Sequence, residues 1–305
     1  MNSDAPFDII GMGSCTWDHL LMFPHMPEYG VNMRASQYLN QSGGLVASAL
    51  VAATRLGAKT KIIARIGDDE EGEFIHRELE RDKVDTSKLL VEARTHSHVS
   101  TVLVDSNTGE RTIISRWATG SPIGLHEFTR EEITSAKILL IDNITEGTLQ
   151  AAKWANEAGM IVIFDPACTF DTAKELLPWV TVPIVPEQFA NQWLPNQPVE
   201  ETALALRGLG SLIAIVTLGE RGCVVCSSEG MQTYPAFPVD VVDTTGAGDA
   251  FHGAFMYGLL QDWNIQRMTK FASAVGAMNC RFLGGRIGLP TRREVDNFIA
   301  NSGMD

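Results

Sequence analysis

Four short apolar runs, Lys137 to Asp142, Met160 to Asp165, Val182 to Val185 and Leu212 to Thr217, look like buried strands, and helical stretches such as Leu149 to Glu157 separate them. Upstream, Phe7 to Gly13 reads as a first strand, Leu45 to Leu56 as a helix of small residues, Thr60 to Ile66 as a strand and Glu70 to Arg81 as a charged amphipathic helix. Strands and helices that alternate in this way imply an α/β fold, with a mostly parallel central sheet and helices on both faces. In such sheets ligands sit at the carboxyl ends of the strands.

The strongest chemical signal is Asp243-Thr244-Thr245-Gly246-Ala247-Gly248-Asp249-Ala250-Phe251-His252-Gly253. Phe237 to Val242, with its valines, suits a strand. Gly246 and Gly248 let the backbone turn sharply, and from Ala247 onward Ala250, Phe251, Ala254, Phe255, Gly258 and Leu259 recur at helical spacing. The turn therefore opens a helix whose first N–H groups lack partners, and these donors together with the helix dipole favour an anion. Asp249 places a carboxylate where phosphate oxygens would repel it. Support of the helix N-terminus is the plain explanation, and a base for an incoming hydroxyl is the one that the flanking glycines favour.

Composition excludes other classes. The chain has 305 residues, 45% hydrophobic and 20% charged, enough for one large domain, or one with a small appendage, that buries roughly 75% of its unfolded surface. A formal net charge of -13 with no basic run argues against nucleic acid. The amino terminus carries no basic residue ahead of an apolar run that Gly11 and Gly13 interrupt, and no segment approaches membrane-spanning length, so a cytoplasmic protein is expected. Five scattered cysteines, Cys15, Cys168, Cys223, Cys226 and Cys280, suit reduced thiols. Cys223 and Cys226 lie on a strand-like run whose alternation turns them to opposite faces, which disfavours zinc. His96 and His98 could share a strand face but lack metal-ligand neighbours. Gly11-Met12-Gly13 lacks the third glycine of a dinucleotide fingerprint.

Two segments break the strand-helix rhythm, Leu20 to Leu39 and His98 to Arg116; in the second, Val99 to Val104 and Arg111 to Ile114 flank a turn at Asn107-Thr108-Gly109. Both look like hairpin strands.

The Asp243 to Gly253 stretch resembles the second signature of the ribokinase, or phosphofructokinase B, family of sugar and nucleoside kinases. Gly43-Gly44-Leu45-Val46-Ala47-Ser48 through Arg55-Leu56-Gly57, then Ile66-Gly67-Asp68, resembles its first signature. The resemblance implies a single ribokinase-like domain over residues 1–305. Segments about 20–39 and 98–116 would form a small β-sheet lid, whose outer face could pair with a second subunit as a homodimer. It also implies an ATP-dependent sugar kinase in which Asp249 accepts the proton of a primary hydroxyl and Gly246, Ala247 and Gly248 donate N–H groups to the phosphoryl group.

Asp18, expected in a loop just after the first strand, where capping is the plain explanation, is with Gly43, Gly44, Ser48 and Asn143 an implied sugar contact, and Thr217, Gly219, Gly222 and Ala277 are the implied nucleotide contacts, joined by Gly246 and Gly248. Asn143 stands where ribose-directed relatives tend to carry a carboxylate and Ser48 where many relatives carry an asparagine, which leaves the sugar open. Glu187 resembles the glutamate that organises magnesium water, and Asp243 and Thr245 match a potassium site. Cys280-Arg281 and Gly284 to Pro290 most resemble the ketohexose-directed branch, so a ketohexose or pentose is the expected acceptor. Two other readings stay open. A nucleoside kinase on the same scaffold would need an aromatic slot, for which Trp17, Phe23, Trp117 and Phe170 are candidates, and a silent sugar-binding regulator would be expected to lose the base or the cradle.

Overall fold

The computed structural model describes residues 5–167 and 169–303. Its strands are β1 (Ile9–Met12), β2 (Thr16–Phe23), β3 (Gln37–Gly43), β4 (Thr60–Gly67), β5 (Asp85–Glu92), β6 (Val99–Asp105), β7 (Arg111–Arg116), β8 (Ile138–Ile141), β9 (Ile161–Phe164), β10 (Val182–Pro186), β11 (Ala214–Thr217), β12 (Cys223–Ser227) and β13 (Gly230–Tyr234). The helices are α1 (Leu45–Leu56), α2 (Glu70–Arg81), α3 (Arg130–Ile133), α4 (Glu146–Glu157), α5 (Phe170–Ala173), α6 (Glu187–Trp193), α7 (Val199–Gly208), α8 (Ala247–Leu260), α9 (Ile265–Asn279) and α10 (Arg292–Asn301).

Nine strands form the central sheet in the order β13-β12-β11-β10-β9-β8-β1-β4-β5. From β11 to β5 every pairing is parallel, while β12 and β13 add antiparallel at one end. Strand alternation sorts the apolar side chains into two layers. Ile9, Cys223 and Val225 join the layer of α1, α8 and α9, whereas Ile10, Val224 and Cys226 join that of α4, α6 and α7. Each such buried aliphatic contributes on the order of 1.5–3 kcal/mol relative to exposure. Cys223 and Cys226 thus lie on opposite faces of the sheet, as their spacing requires. Together with Cys15 and Cys280 they are free and buried; Cys168 lies outside the described residues.

A second, four-stranded sheet has the order β3-β2-β6-β7. The pairs β2–β3 and β6–β7 are antiparallel, and β2–β6 is parallel. These strands come from the two segments that break the sequence rhythm, with different limits: β2 begins at Thr16 rather than Leu20, and β3 runs on to Gly43 rather than ending at Leu39.

Three local expectations are corrected. Phe237 to Val242 is not a strand. Pro238 removes a donor from it, and Val242 and Asp243 both donate their N–H to the Cys280 carbonyl, at 2.8 and 3.2 Å, so a loop rather than a sheet edge holds the segment. His96 and His98 share no strand face, because both precede β6. His98 packs against Trp117, ring centroids 4.7 Å apart. Asp18 does not follow a strand in a loop but lies inside β2, paired with Gln41 and Ser100. Among the described residues no helix is long and apolar enough to cross a membrane.

Candidate active site

Parallel register lines up the chemistry. Met12, Ile141 and Phe164 are register partners at the ends of β1, β8 and β9, so Gly13, Asp142 and Asp165 leave the sheet side by side. Pro186 of β10 pairs with Thr217 of β11, which puts Glu187 and Gly219 further along the same edge. The sheet ends therefore gather Asn143, Glu187, Thr217 and Gly219 of the expected residues onto one rim, beside Gly13, Asp142 and Asp165.

Gly246 caps α8 at φ +72°, and a Cβ there would meet the Gly285 Cα at 2.6 Å, so glycine is required for both backbone and space. Among the described residues the N–H groups of Gly246, Gly248 and Asp249 make no hydrogen bond. Ala247 differs from expectation: its N–H turns to the Thr244 carbonyl at 3.3 Å, leaving the donor set shifted one residue toward Asp249. The Asp249 carboxylate has no hydrogen bond or ion pair among the described residues and stays partly accessible at the helix mouth. Burial, reinforced by Asp165 and Asp18, pushes its carboxyl well above the usual range, against the pull of Arg111 and Arg286.

Asp18 reaches across the small sheet to Gly43, where a Cβ would stand 1.8 Å from its Oδ2, so only glycine lets this carboxylate lie flat on the backbone. Thr16 donates its hydroxyl to Asp18 Oδ1 at 2.6 Å. Burial raises the Asp18 carboxyl, partly offset by that hydroxyl and by Arg286. Gly44 enters α1 at φ +93°. Ser48, buried one turn into α1, accepts from Arg286 Nε at 3.2 Å, and Arg286 Nη2 donates to the Gly43 carbonyl at 3.0 Å. Asn143 is at the rim with its buried Oδ1 unpartnered. The structure thus brings Asp18, Gly43 and Ser48 together through Arg286, a residue with no role assigned from sequence alone. An arginine inside the Gly284 to Gly288 run was the available signal.

Other contributors were not legible as site residues. Asp142 takes the Ser14 N–H at 2.9 Å and the Ser14 hydroxyl on one oxygen and leaves its Oδ1 unpartnered; burial pushes its carboxyl up to about 6. Asp165 is raised by burial and partly relieved by His252. His252 bridges the Gly248 carbonyl, 2.8 Å from Nδ1, and the Ile184 carbonyl of β10, 3.2 Å from Nε2, and so ties the α8 turn to the sheet.

Of the residues expected to contact the nucleotide, Thr217, Gly219 and Gly222 form the turn between β11 and β12, with Gly219 and Gly222 at φ +60° and +90°. Ala277 is on α9, one residue after Gly276, which packs against the Ala247 carbonyl. Glu187 pairs with Arg221 across this turn. Asp243 Oδ1 accepts from Thr245 N and Oγ1 at 2.8 and 2.7 Å, and Oδ2 from Gly284 N at 2.8 Å, so this carboxylate knits the turn to the 280–289 loop. Among the described residues no three His, Cys, Asp or Glu side chains gather as a metal cluster. The four aromatic residues suggested for a base slot are engaged apart from one another: Trp17 stacks on Phe74 at 4.6 Å, Phe170 on Trp193 at 3.9 Å, Trp117 leans on His98, and Phe23 is buried.

Comparison with known proteins identifies the family and the fold. A pfkB family carbohydrate kinase profile matches residues 13–292. The ribokinase of Bacillus subtilis is 28% identical over 96% of this chain and 99% of its own length. A nucleoside kinase of Methanothermobacter thermautotrophicus is 23% identical over 98% and 97%. The solved ribokinase of Thermotoga maritima superposes with a TM-score of 0.83 at 25% identity, covering 97% of this chain and all of that one. The fold is therefore ribokinase-like, and this chain belongs to the pfkB family of carbohydrate kinases, enzymes that phosphorylate sugars or nucleosides.

Proposed function

We propose that this protein transfers the γ-phosphoryl group of ATP to a primary hydroxyl of a small sugar of the ketohexose or pentose type. One observation carries the reading: a carboxylate without a partner, Asp249, stands beside the free N–H groups of Gly246, Gly248 and its own residue at a helix start. In an in-line displacement the acceptor oxygen bonds to the γ-phosphorus as the bond to the β,γ-bridging oxygen breaks. The electron pair leaves on ADP, the hydroxyl proton passes to Asp249, and the turn donors hold the phosphoryl oxygens. A base contributes roughly 10²–10⁴-fold and each preorganised donor about 10²–10³-fold, so the two parts must act together. Asp18, the Gly43–Gly44 backbone, Ser48 and Asn143 bind the sugar, and Arg286 holds their floor in place. The β3-β2-β6-β7 sheet is the lid that keeps water from the phosphoryl group.

Magnesium, bound by the nucleotide, neutralises phosphate charge. Glu187, beside Arg221 at the rim, would hold its hydration water. For a monovalent cation the residues offer the Asp243 carboxylate, which already accepts three hydrogen bonds, and neighbouring loop carbonyls.

Incubation with Mg-ATP and panels of ketoses, aldoses and nucleosides, with ADP release as the readout, tests the proposal. A ketose or pentose is expected to stimulate turnover. Stimulation by nucleosides alone would reassign the acceptor, and none by any candidate would leave a sugar-binding regulator.

A further inference from the structure

The tip of the β6–β7 hairpin rests on the segment that leads into the catalytic turn. The Gly109 carbonyl accepts from Thr244 N at 3.1 Å and from Thr244 Oγ1 at 3.0 Å. With its proton spent on Gly109, the Thr244 hydroxyl accepts in turn from Arg111 Nη1 at 2.7 Å. Arg111 is the first residue of β7, and its side chain is exposed. One N–H of its fork is used, and among the described residues Nη2 and Nε have no protein partner. Thr244 precedes the Gly246 cap by two residues, so this free part of the guanidinium is anchored at the entrance to the unpaired N–H groups.

The stretch Asp243 to Gly253 contains no lysine or arginine. The other cation acting on Asp249, Arg286, is buried, with Nε and Nη2 given to Ser48 and Gly43 and Nη1 enclosed without a partner. An exposed positive charge tethered at this turn is therefore supplied from the small sheet, by Arg111.

We propose that Arg111 is a catalytic residue delivered by the lid: tethered to Thr244, its guanidinium contacts the transferring phosphoryl oxygens and stabilises the charge they gather in the transition state. The bonds made and broken are those of the displacement described above, and Arg111 adds no proton transfer. Its field also favours the ionised form of Asp249, so one side chain serves both the migrating group and the base. The inference rests on the kinase reading.

Arg111→Ala and Arg111→Lys test it. The alanine variant is expected to lower kcat by ~10²–10³-fold with the sugar KM within about threefold, the loss expected for a donor felt in the transition state. Lysine, with the charge but not the fork, should recover part of it, and added methylguanidinium should raise turnover of the alanine variant and not of the wild type. The acid limb of the alanine variant's rate profile should move to higher pH, because a cation that favoured the carboxylate is gone. A second arm needs no acceptor: binding of ADP with Mg²⁺ and aluminium fluoride, a mimic of the phosphoryl group in flight, should tighten over ADP alone in the wild type and not in Arg111→Ala. Turnover of the alanine variant within about threefold of wild type, or equal tightening by fluoride in both proteins, would overturn the proposal. Wild-type protein that phosphorylates no acceptor sinks the functional reading instead, while the fluoride arm still decides Arg111.

Discussion

Asp249 sits among charges that disagree about its proton, since burial, Asp165 and Asp18 favour the neutral acid while Arg111 and Arg286 favour the carboxylate. The base must be ionised to act, so turnover should rise with pH through an apparent pKa above the ordinary carboxylate range, as read from kcat/KM against pH. Asp249→Asn should cost at least about 100-fold in kcat with nucleotide affinity near normal, and equal loss of ADP binding by calorimetry would point to a structural role. Asp142 supplies a separate test by stability. Its carboxyl is raised from 3.8 to about 6, so the folded state holds the proton more tightly. The stability cost is absent below the unfolded value, grows as pH rises through this window and is complete above about 6. Asp142→Asn, which cannot ionise, should therefore gain relative to wild type between about pH 4 and 6, by roughly 3 kcal/mol at most, and no further above. Urea midpoints at several pH values check this. Asp249 could be singled out from its glycine neighbours, whereas Asp142 and Asp165 could not, because only the strand register places them on the same rim.

At the level of the element, α8 depends on the αL entry at Gly246 and on contact between Gly246 and Gly285. Gly246→Ala should destabilise by about 1–3 kcal/mol and lower kcat as well, because the Cβ pushes the 280–289 loop off the turn. Thr129→Ala is the matched control. It removes the capping box of α3, away from the site, and should cost about 1 kcal/mol in urea unfolding with kcat unchanged. The helix start was legible because its apolar spacing and glycines are local signals. The extended segment before it is not the strand that its valines suggest, because valine content carries no information about Cys280, whose carbonyl claims the N–H groups of Val242 and the adjoining Asp243. Asp18 shows the same limit, since its place inside β2 is set by pairing with distant Ser100.

Over the whole molecule, the small sheet ends in the edge strand β7, where Ile113 and Ile114 are 51% and 58% exposed. An apolar edge of this kind is costly to leave in water, and we predict that a second copy covers it. Sedimentation should find a dimer that Ile114→Lys shifts to monomer, and a monomeric wild type at micromolar concentration would refute the pairing. Strand-helix alternation, the two glycine signatures and the carboxylate beside the turn were all determined by the chain itself, because each follows from neighbours within a few residues. Tertiary structure alone decided which carboxylates converge, that Arg286 braces Ser48 and the Gly43 backbone, and that a hairpin tip brings Arg111 to Thr244. Those contacts join residues over a hundred positions apart, and the strand register and hairpin docking that create them leave no periodicity in the sequence.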